Sequence, residues 1–382
     1  MKKVKLTSVC RPKQWKSIPI SELSDVGYPV YGANGVIGYY DSYNHEQETV
    51  IITCRGATCG TVNLTHPRSY VTGNAMCLDN VKDSVDIKYL FYSMQAYDFT
   101  KVISGTAQPQ ITRVGLEKVE ITLPSLDVQR EIVSILDKIN ALIEQRRLQL
   151  KKLEELVKAR FVEMFGNPAT PGDKFKTCKL GEVADVKSSH RVFTTEFVDE
   201  GVPFYRGTEI GVLASGQRPE DPYRISMEHY LKIASDDSKP IRGDLLLPSI
   251  CNKGQVWMVD TDEPFYYKDG RVLCISPNRS VFDPRYLQLY MKMRTEAEYP
   301  KLGSGSTFAE FKIFQLKKLE IDIPPMDLQN QFAEFVTQID KSKLLSGCRL
   351  FHSWAPENRD KPKHVGVPQR KTKVLRGGRR QQ

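Results

Sequence analysis

The sequence predicts an α+β chain in which two homologous, mainly-β domains are joined by long helices. The helices are expected to pack as an antiparallel coiled coil, giving a dumbbell. Three observations predict this. The segment SGTAQPQITRVGLEKVEITLPSLDVQ (104–129) returns as SGSTFAEFKIFQLKKLEIDIPPMDLQ (304–329), without a gap and identical at nine of 26 positions. Upstream of each copy lie short apolar runs with Gly-bearing turns. Downstream of the first copy lies a long stretch without Pro or Gly that carries an apolar heptad pattern.

The first half opens with VKLTSV (4–9), matched loosely by CKLGEV (178–183) in the second, and YPVYGANG (28–35) sits where VPFYRGTE (202–209) does. The stretch GYPVYGANGVIGYYD alternates glycines, which permit positive φ, with aromatics suited to strands. VIITCRGATCGTVNL and VTGNAMCLD then correspond to DLLLPSICNKGQVWMV and YKDGRVLCIS. These read as antiparallel strands joined by irregular loops. A helical pattern follows in each half, 85–99 and 284–299, and runs into the Ser-Gly copy. The period is far too long for a solenoid.

After the first copy, Pro124 stops a strand, and Ser125 or Asp127 caps a helix with Glu131 in its first turn. Apolar residues fall at Ile132, Ile135, Leu136, Ile139, Leu142, Ile143, Leu150, Leu153, Leu156 and Val157, and Gly166-Asn167-Pro168 ends the pattern. So long a stripe needs a partner. Phe332, Phe335, Val336 and Ile339 offer one at the same spacing after the second copy. The expected division is a first domain over 1–127, a spacer helix over 128–166, a second domain over 167–326 and a shorter helix over 327–343. From Leu344 the heptad vanishes, and 344–382 reads as a divergent, disordered basic tail. Either an altered C-terminus, such as a shifted reading frame leaves, or a natural disordered tail accounts for it. The Leu150–Phe165 stripe is then expected to lack a partner within the chain, which invites a homodimer.

Composition narrows the function. The chain has 382 residues and a formal charge of +9. The tail from Leu344 holds ten Lys/Arg against two Asp/Glu, leaving 45 against 44 in the body. Nucleic-acid affinity in the body must therefore come from local clusters rather than bulk charge. No apolar run is long enough to span a membrane and no signal peptide opens the chain. The eight cysteines show no CxxC pair and read as reduced, mostly buried thiols of the cytoplasm. The six histidines show no metal spacing. There is no methyltransferase Asn/Asp-Pro-Pro-aromatic motif, no Gly-rich cofactor loop and no GxxxxGK(S/T). A nuclease-like Glu310-Phe311-Lys312 falls where the first copy has Gln110-Ile111-Thr112, and chance explains it better. No catalytic residue and no metal ligand is assigned.

The joints SG(T/S)…L…K…(V/L)EI…P…D(V/L)Q, each entering a long helix, resemble the specificity subunit of type I restriction–modification systems over residues 1 to about 343. YPVYGANGVIGYYDSYN resembles one type of target-recognition domain in that family. The second copy departs from the pattern, with SGSTFAEF for SGTAQPQI. The resemblance implies a non-catalytic, sequence-specific DNA-binding subunit reading a bipartite site, each domain taking one half. It implies two methyltransferase and two restriction (motor) subunits as partners. S-adenosylmethionine, ATP and magnesium would then belong to those partners, with no cofactor in this chain. A catalytic methyltransferase or nuclease with an unrecognised motif, or a coiled-coil adaptor without base readout, are the competing readings.

Arg and Lys suit phosphates or guanine, and Asn and Gln suit adenine. Loop candidates of those and neighbouring types are Tyr31, Asn34, Arg55, Thr58, Arg68, Asn74, Lys101, Gln108 and Arg113 in the first half. In the second they are Lys187, Ser188, His190, Arg191, Arg206, Thr208, Asn252, Lys253, Arg271 and Lys301. Asn34, Arg55, Arg191 and Arg206 lead, each in a Gly- or Ser-rich loop between strands.

Overall fold

The structure is a computed structural model that describes residues 2–105, 108–236, 238–302 and 309–345. The expected tail beyond 345, with Cys348, lies outside the described residues. Two compact units divide between Gln145 and Arg146, inside a single helix, Leu126–Phe165. At 1.5 Å per residue this helix is about 60 Å long. It ends where Gly166 takes φ +85°, a left-handed position that suits glycine.

In the first unit, strand Lys2–Lys5 pairs antiparallel with Glu120–Leu123, so the chain's start lies on the repeated segment. A four-stranded sheet runs Arg11–Lys13, Ala75–Asp79, Val50–Thr53, Val62–Leu64, and a three-stranded one Val36–Tyr40, Tyr28–Tyr31, Tyr70–Val71. The Val50–Thr53 strand is wholly buried, which is why it reads as an unbroken apolar run. The core gathers Leu6, Val50, Ile52, Met76, Leu90 and Ile121.

The second unit repeats the plan. Thr177–Lys179 pairs with Glu320–Asp322. Its main sheet runs Ala184–Lys187, Val272–Pro277, Leu245–Pro248, Trp257–Met258. In both units one pair is parallel: Tyr31 lies beside Val71, and Tyr205 beside Tyr267. The N–H of Leu6 donates to the carbonyl of Val119 at 2.8 Å, and that of Leu180 to Leu319 at the same distance. The units differ in their insertions. Helices Gly207–Ala214 and Met227–Ile233 occur in the second unit, where the first turns directly from Tyr31 to Val36.

A helix follows the sheets in each unit, Ile87–Gln95 and Pro284–Glu298. Asp86 and Asp283 cap them, each carboxylate accepting two first-turn N–H groups. The repeated segment then enters the long helix in the first unit and helix Met326–Leu345 in the second.

Packing on the helices departs from the expected stripe. Ile135, Ile139, Leu142 and Leu156 are exposed, while Ile132 and Leu153 are half-buried. The buried apolar positions are Val133 near one end and Phe161 and Phe165 at the other. The expectation that Leu150–Phe165 has no partner is corrected at its C-terminal end. Within the second unit Phe161 stacks on Tyr286 at 5.5 Å and meets Phe332 edge-on at 5.2 Å. Phe335 and Val336 flank this cluster, and Ile339 is half-buried. Aromatic partners on the neighbouring helices, not a heptad seam, cover that end.

Candidate nucleic-acid interface

In the first unit four segments converge where strand Val50–Thr53 ends. Thr53 Oγ1 donates to the carbonyl of Ala33. The N–H of Cys54 donates to the Asn74 carbonyl at 3.2 Å, and its carbonyl accepts from Ile111 at 3.0 Å. Gly56 donates to Pro109 at 3.2 Å, and Arg55 bridges Gln110. Backbone pairing thus gathers Asn34, Arg55, Asn74 and Gln108 on one exposed rim, together with Gln110, which sequence reasoning missed. Its signal was available: Gln110 is the position at which the two copies of the repeat exchange an amide for a carboxylate. Gln14 braces the rim, its amide donating to Gly73 at 2.9 Å.

Other first-half candidates lie elsewhere or are occupied. Tyr31 is buried, with its hydroxyl accepting the His66 N–H at 3.1 Å, so it is a core residue. The parallel pairing with Val71 draws it inward. Arg68 pairs with Glu46 at 3.3 Å and Lys101 with Asp98 at 4.0 Å. Thr58 is half-buried in the 53–61 hairpin, and Arg113 is exposed at the start of the short helix Arg113–Leu116.

The second unit builds the same joint with different side chains. The Ser249 N–H donates to the Arg271 carbonyl at 2.8 Å, and its carbonyl accepts from Phe311 at 2.7 Å. Arg271 Nη1 donates to Glu310 Oε2 at 2.8 Å. Glu310 also accepts from Lys312 Nζ and from Ser249 Oγ. The Lys312 hydrogen bond, with the charges of Lys312 and Arg271, holds the Glu310 carboxyl below its ordinary range. The Glu-x-Lys triplet is therefore an ion-paired brace. Asn252 and Lys253 are exposed in the loop that continues from Ser249.

Arg206, a leading candidate, is ion-paired. Its guanidinium grips Glu209 at 2.6 and 3.0 Å and lies 4.5 Å over the Tyr223 ring. Thr208 donates to the same carboxylate at 2.9 Å. Burial pushes the Glu209 carboxyl up, but the bonds from Arg206 and Thr208 prevail and hold it low. The group anchors the start of helix Gly207–Ala214. Ser188 accepts the Gly270 N–H at 2.9 Å, His190 meets Asp236 at 2.6 Å, and Lys301 pairs with Glu298 at 3.1 Å. Lys187 is half-buried, and Arg191 is exposed with its guanidinium 5.3 Å from the Phe193 ring centroid.

Folding brings together one group that spacing does not. His45, Cys77 and Asp79 place their ligand-type atoms within 4.8 Å of one another. His45 Nδ1 meets Asn44 Oδ1 at 2.6 Å, its Nε2 meets Asp79 at 3.0 Å, and Trp15 Nε1 donates to the other Asp79 oxygen. These bonds tie the 44–45 loop and the Trp15 segment to strand Ala75–Asp79. The described cysteines are free thiols; burial pushes that of Cys10 up to about 12 and that of Cys251 up to about 11. Among the described residues no helix is long and apolar enough to cross a membrane.

Comparison with known proteins gives this arrangement its context. A putative type I restriction enzyme specificity subunit of Haemophilus influenzae is 26% identical over 329 residues, covering 83% of this chain and 80% of the relative. The MjaVIII specificity subunit of Methanocaldococcus jannaschii is 24% identical, covering 77% and 72%. A crystal structure of the S subunit from M. genitalium shares the fold with a TM-score of 0.53 at 15% identity, covering 92% of each chain. The model of the type I restriction modification DNA specificity domain matches residues 1–155 and again 172–347. The chain belongs to that family and is a non-catalytic subunit that recognises DNA sequence in a type I restriction–modification system.

Proposed function

We propose that the chain reads a bipartite site on double-stranded DNA, one half with the 32–35/53–56/73–75/108–111 rim and the other with the Ser249–Arg271–Glu310 rim. The observation that carries this reading is one backbone joint built twice with different side chains. Shared backbone suits a common mode of approach to a locally two-fold duplex, and different side chains suit different bases. Asn34, Arg55, Gln108, Arg113, Arg191, Asn252 and Lys253 would supply further base or phosphate contacts. The working division is recognition domains over 1–127 and 167–326, with spacer helices over 128–166 and 327–343.

Two methyltransferase and two restriction subunits would assemble around this subunit in the cytoplasm. The methyl donor, ATP and magnesium would then be held by those partners. The exposed Ile135, Ile139, Leu142 and Leu156 are suited to a helix of a partner subunit or of a second copy. Light scattering on the purified chain should read a dimer; a clean monomer would leave the partner subunit as the cover. Footprinting with the methyltransferase subunit present tests the main reading. Two protected patches with an unprotected or weakly protected gap are expected, and one continuous patch contradicts it.

A further inference from the structure

We infer that the two rims read chemically different bases: the first an adenine through the amides of Asn74 and Gln110, the second a guanine through Arg271 with Glu310 as its positioning residue. This rests on the reading just given.

The Cys54 N–H donates to Asn74 and the Cys54 carbonyl accepts from Ile111, while the Ser249 N–H donates to Arg271 and the Ser249 carbonyl accepts from Phe311. Asn74 and Arg271 therefore occupy the same place in two copies of one joint. So do Gln110 and Glu310, each one residue before the residue, Ile111 or Phe311, whose N–H closes the joint. At both places the residue type changes in a coordinated way. The first rim holds two neutral amides, and no side-chain partner binds either among the described residues. The second holds an arginine and the carboxylate that grips it at 2.8 Å.

These pairs differ in what they can recognise. An amide offers one donor and one acceptor, matching N7 and N6 of adenine. A guanidinium offers two parallel donors, matching O6 and N7 of guanine. A free arginine at a rim is also a mobile charge that any phosphate can take. Here Glu310 binds Nη1 alone, leaving Nε and Nη2 without a partner among the described residues. Glu310 is itself fixed by Lys312 and Ser249, and is far less exposed than Arg271, 21% against 60% at the side chain. The exposed arginine is thus held from its base, with an edge of its fork facing outward. Where Arg55 adds charge in the first rim, the second has Ile250.

The test uses the full chain produced with its methyltransferase subunit, with methylated bases mapped across a genome. Arg271→Ala and Arg271→Lys should each relax one half-site at a single guanine, lowering its preference by roughly tenfold or more, and leave the other half unchanged. Glu310→Gln should give a weaker form of the same change. Asn74→Ala or Gln110→Ala should relax an adenine in the other half. If Arg271→Ala abolishes methylation, Arg271→Lys decides, because it keeps the charge but not the two-pronged edge. Guanine preference retained in Arg271→Lys, or relaxation at the wrong base, overturns the inference while a split motif persists. A continuous motif from the unsubstituted chain would instead remove the two-rim reading beneath it.

Discussion

Gln129 Oε1 accepts the backbone N–H of Asp86 at 2.9 Å, while its Nε2 donates to the carbonyls of Ser84 and Pro124 at 3.0 and 2.9 Å. Gln329 does the same with Asp283, Val281 and Pro324, each at 2.9 Å. Both glutamines are fully buried. One side chain thus satisfies three main-chain groups where a sheet, a capped helix and the long helix meet. This explains why the repeated segment ends in glutamine both times. It is the joint through which each domain is fixed to its own helix.

Truncating either glutamine leaves three main-chain groups without this partner. Gln129→Ala and Gln329→Ala should each destabilise their own unit by about 2–4 kcal/mol, and by similar amounts because the networks match. Glutamate should be no better, since it turns the two donors toward carbonyls into acceptors. Urea unfolding checks this; a loss below about 0.5 kcal/mol in either variant would show that the joint is replaceable.

The aromatic cluster at the end of the long helix should be the most sensitive packing site. Phe161→Ala or Phe332→Ala should cost about 3–5 kcal/mol. Because the rings touch, the double variant should cost less than the sum, which a double-mutant cycle on thermal or urea unfolding reads directly. Full additivity would mean the two do not share a cluster.

How much of this was legible beforehand depends on distance along the chain. The repeat, the long helix and the pairing of halves were visible because each is a local pattern written twice. The task of Gln129 was not, since its partner lies 43 residues away and nothing local marks a buried amide. Phe161 and Phe165 escaped the heptad reading because their partners, Tyr286 and Phe332, come from elements far along the chain. Among site candidates the residue type was the guide, and type does not reveal burial. Tyr31 is drawn into the core by strand pairing, and Arg206 is consumed by Glu209 three residues on. Asn34, Arg55, Asn74 and Gln108 share a rim because the 53–56 loop bonds to three separate segments, which only the fold arranges.

The Arg206–Glu209 grip carries a pH signature. The folded Glu209 carboxyl sits below its ordinary 4.5, so its contribution to stability is complete above that value. It is lost as the pH falls through the folded pKa below it. Stability followed from pH 6 to pH 3 should therefore drop less steeply in Glu209→Gln than in the unsubstituted chain. Parallel curves would show that the carboxylate is not held by Arg206 in solution.

Phosphate contact should show in salt dependence. Binding to a cognate duplex should weaken linearly in log–log salt plots, and Arg55→Ala should lower the slope by about one if Arg55 meets a phosphate. An unchanged slope with weaker binding would make Arg55 a base reader, and no change in either would remove it from the interface.

The most direct test of the two-rim account is the methylated motif itself, mapped in a cell carrying this chain with its methyltransferase partner. The account predicts two short specific blocks separated by a fixed run of unspecified bases. A single unbroken motif would contradict it.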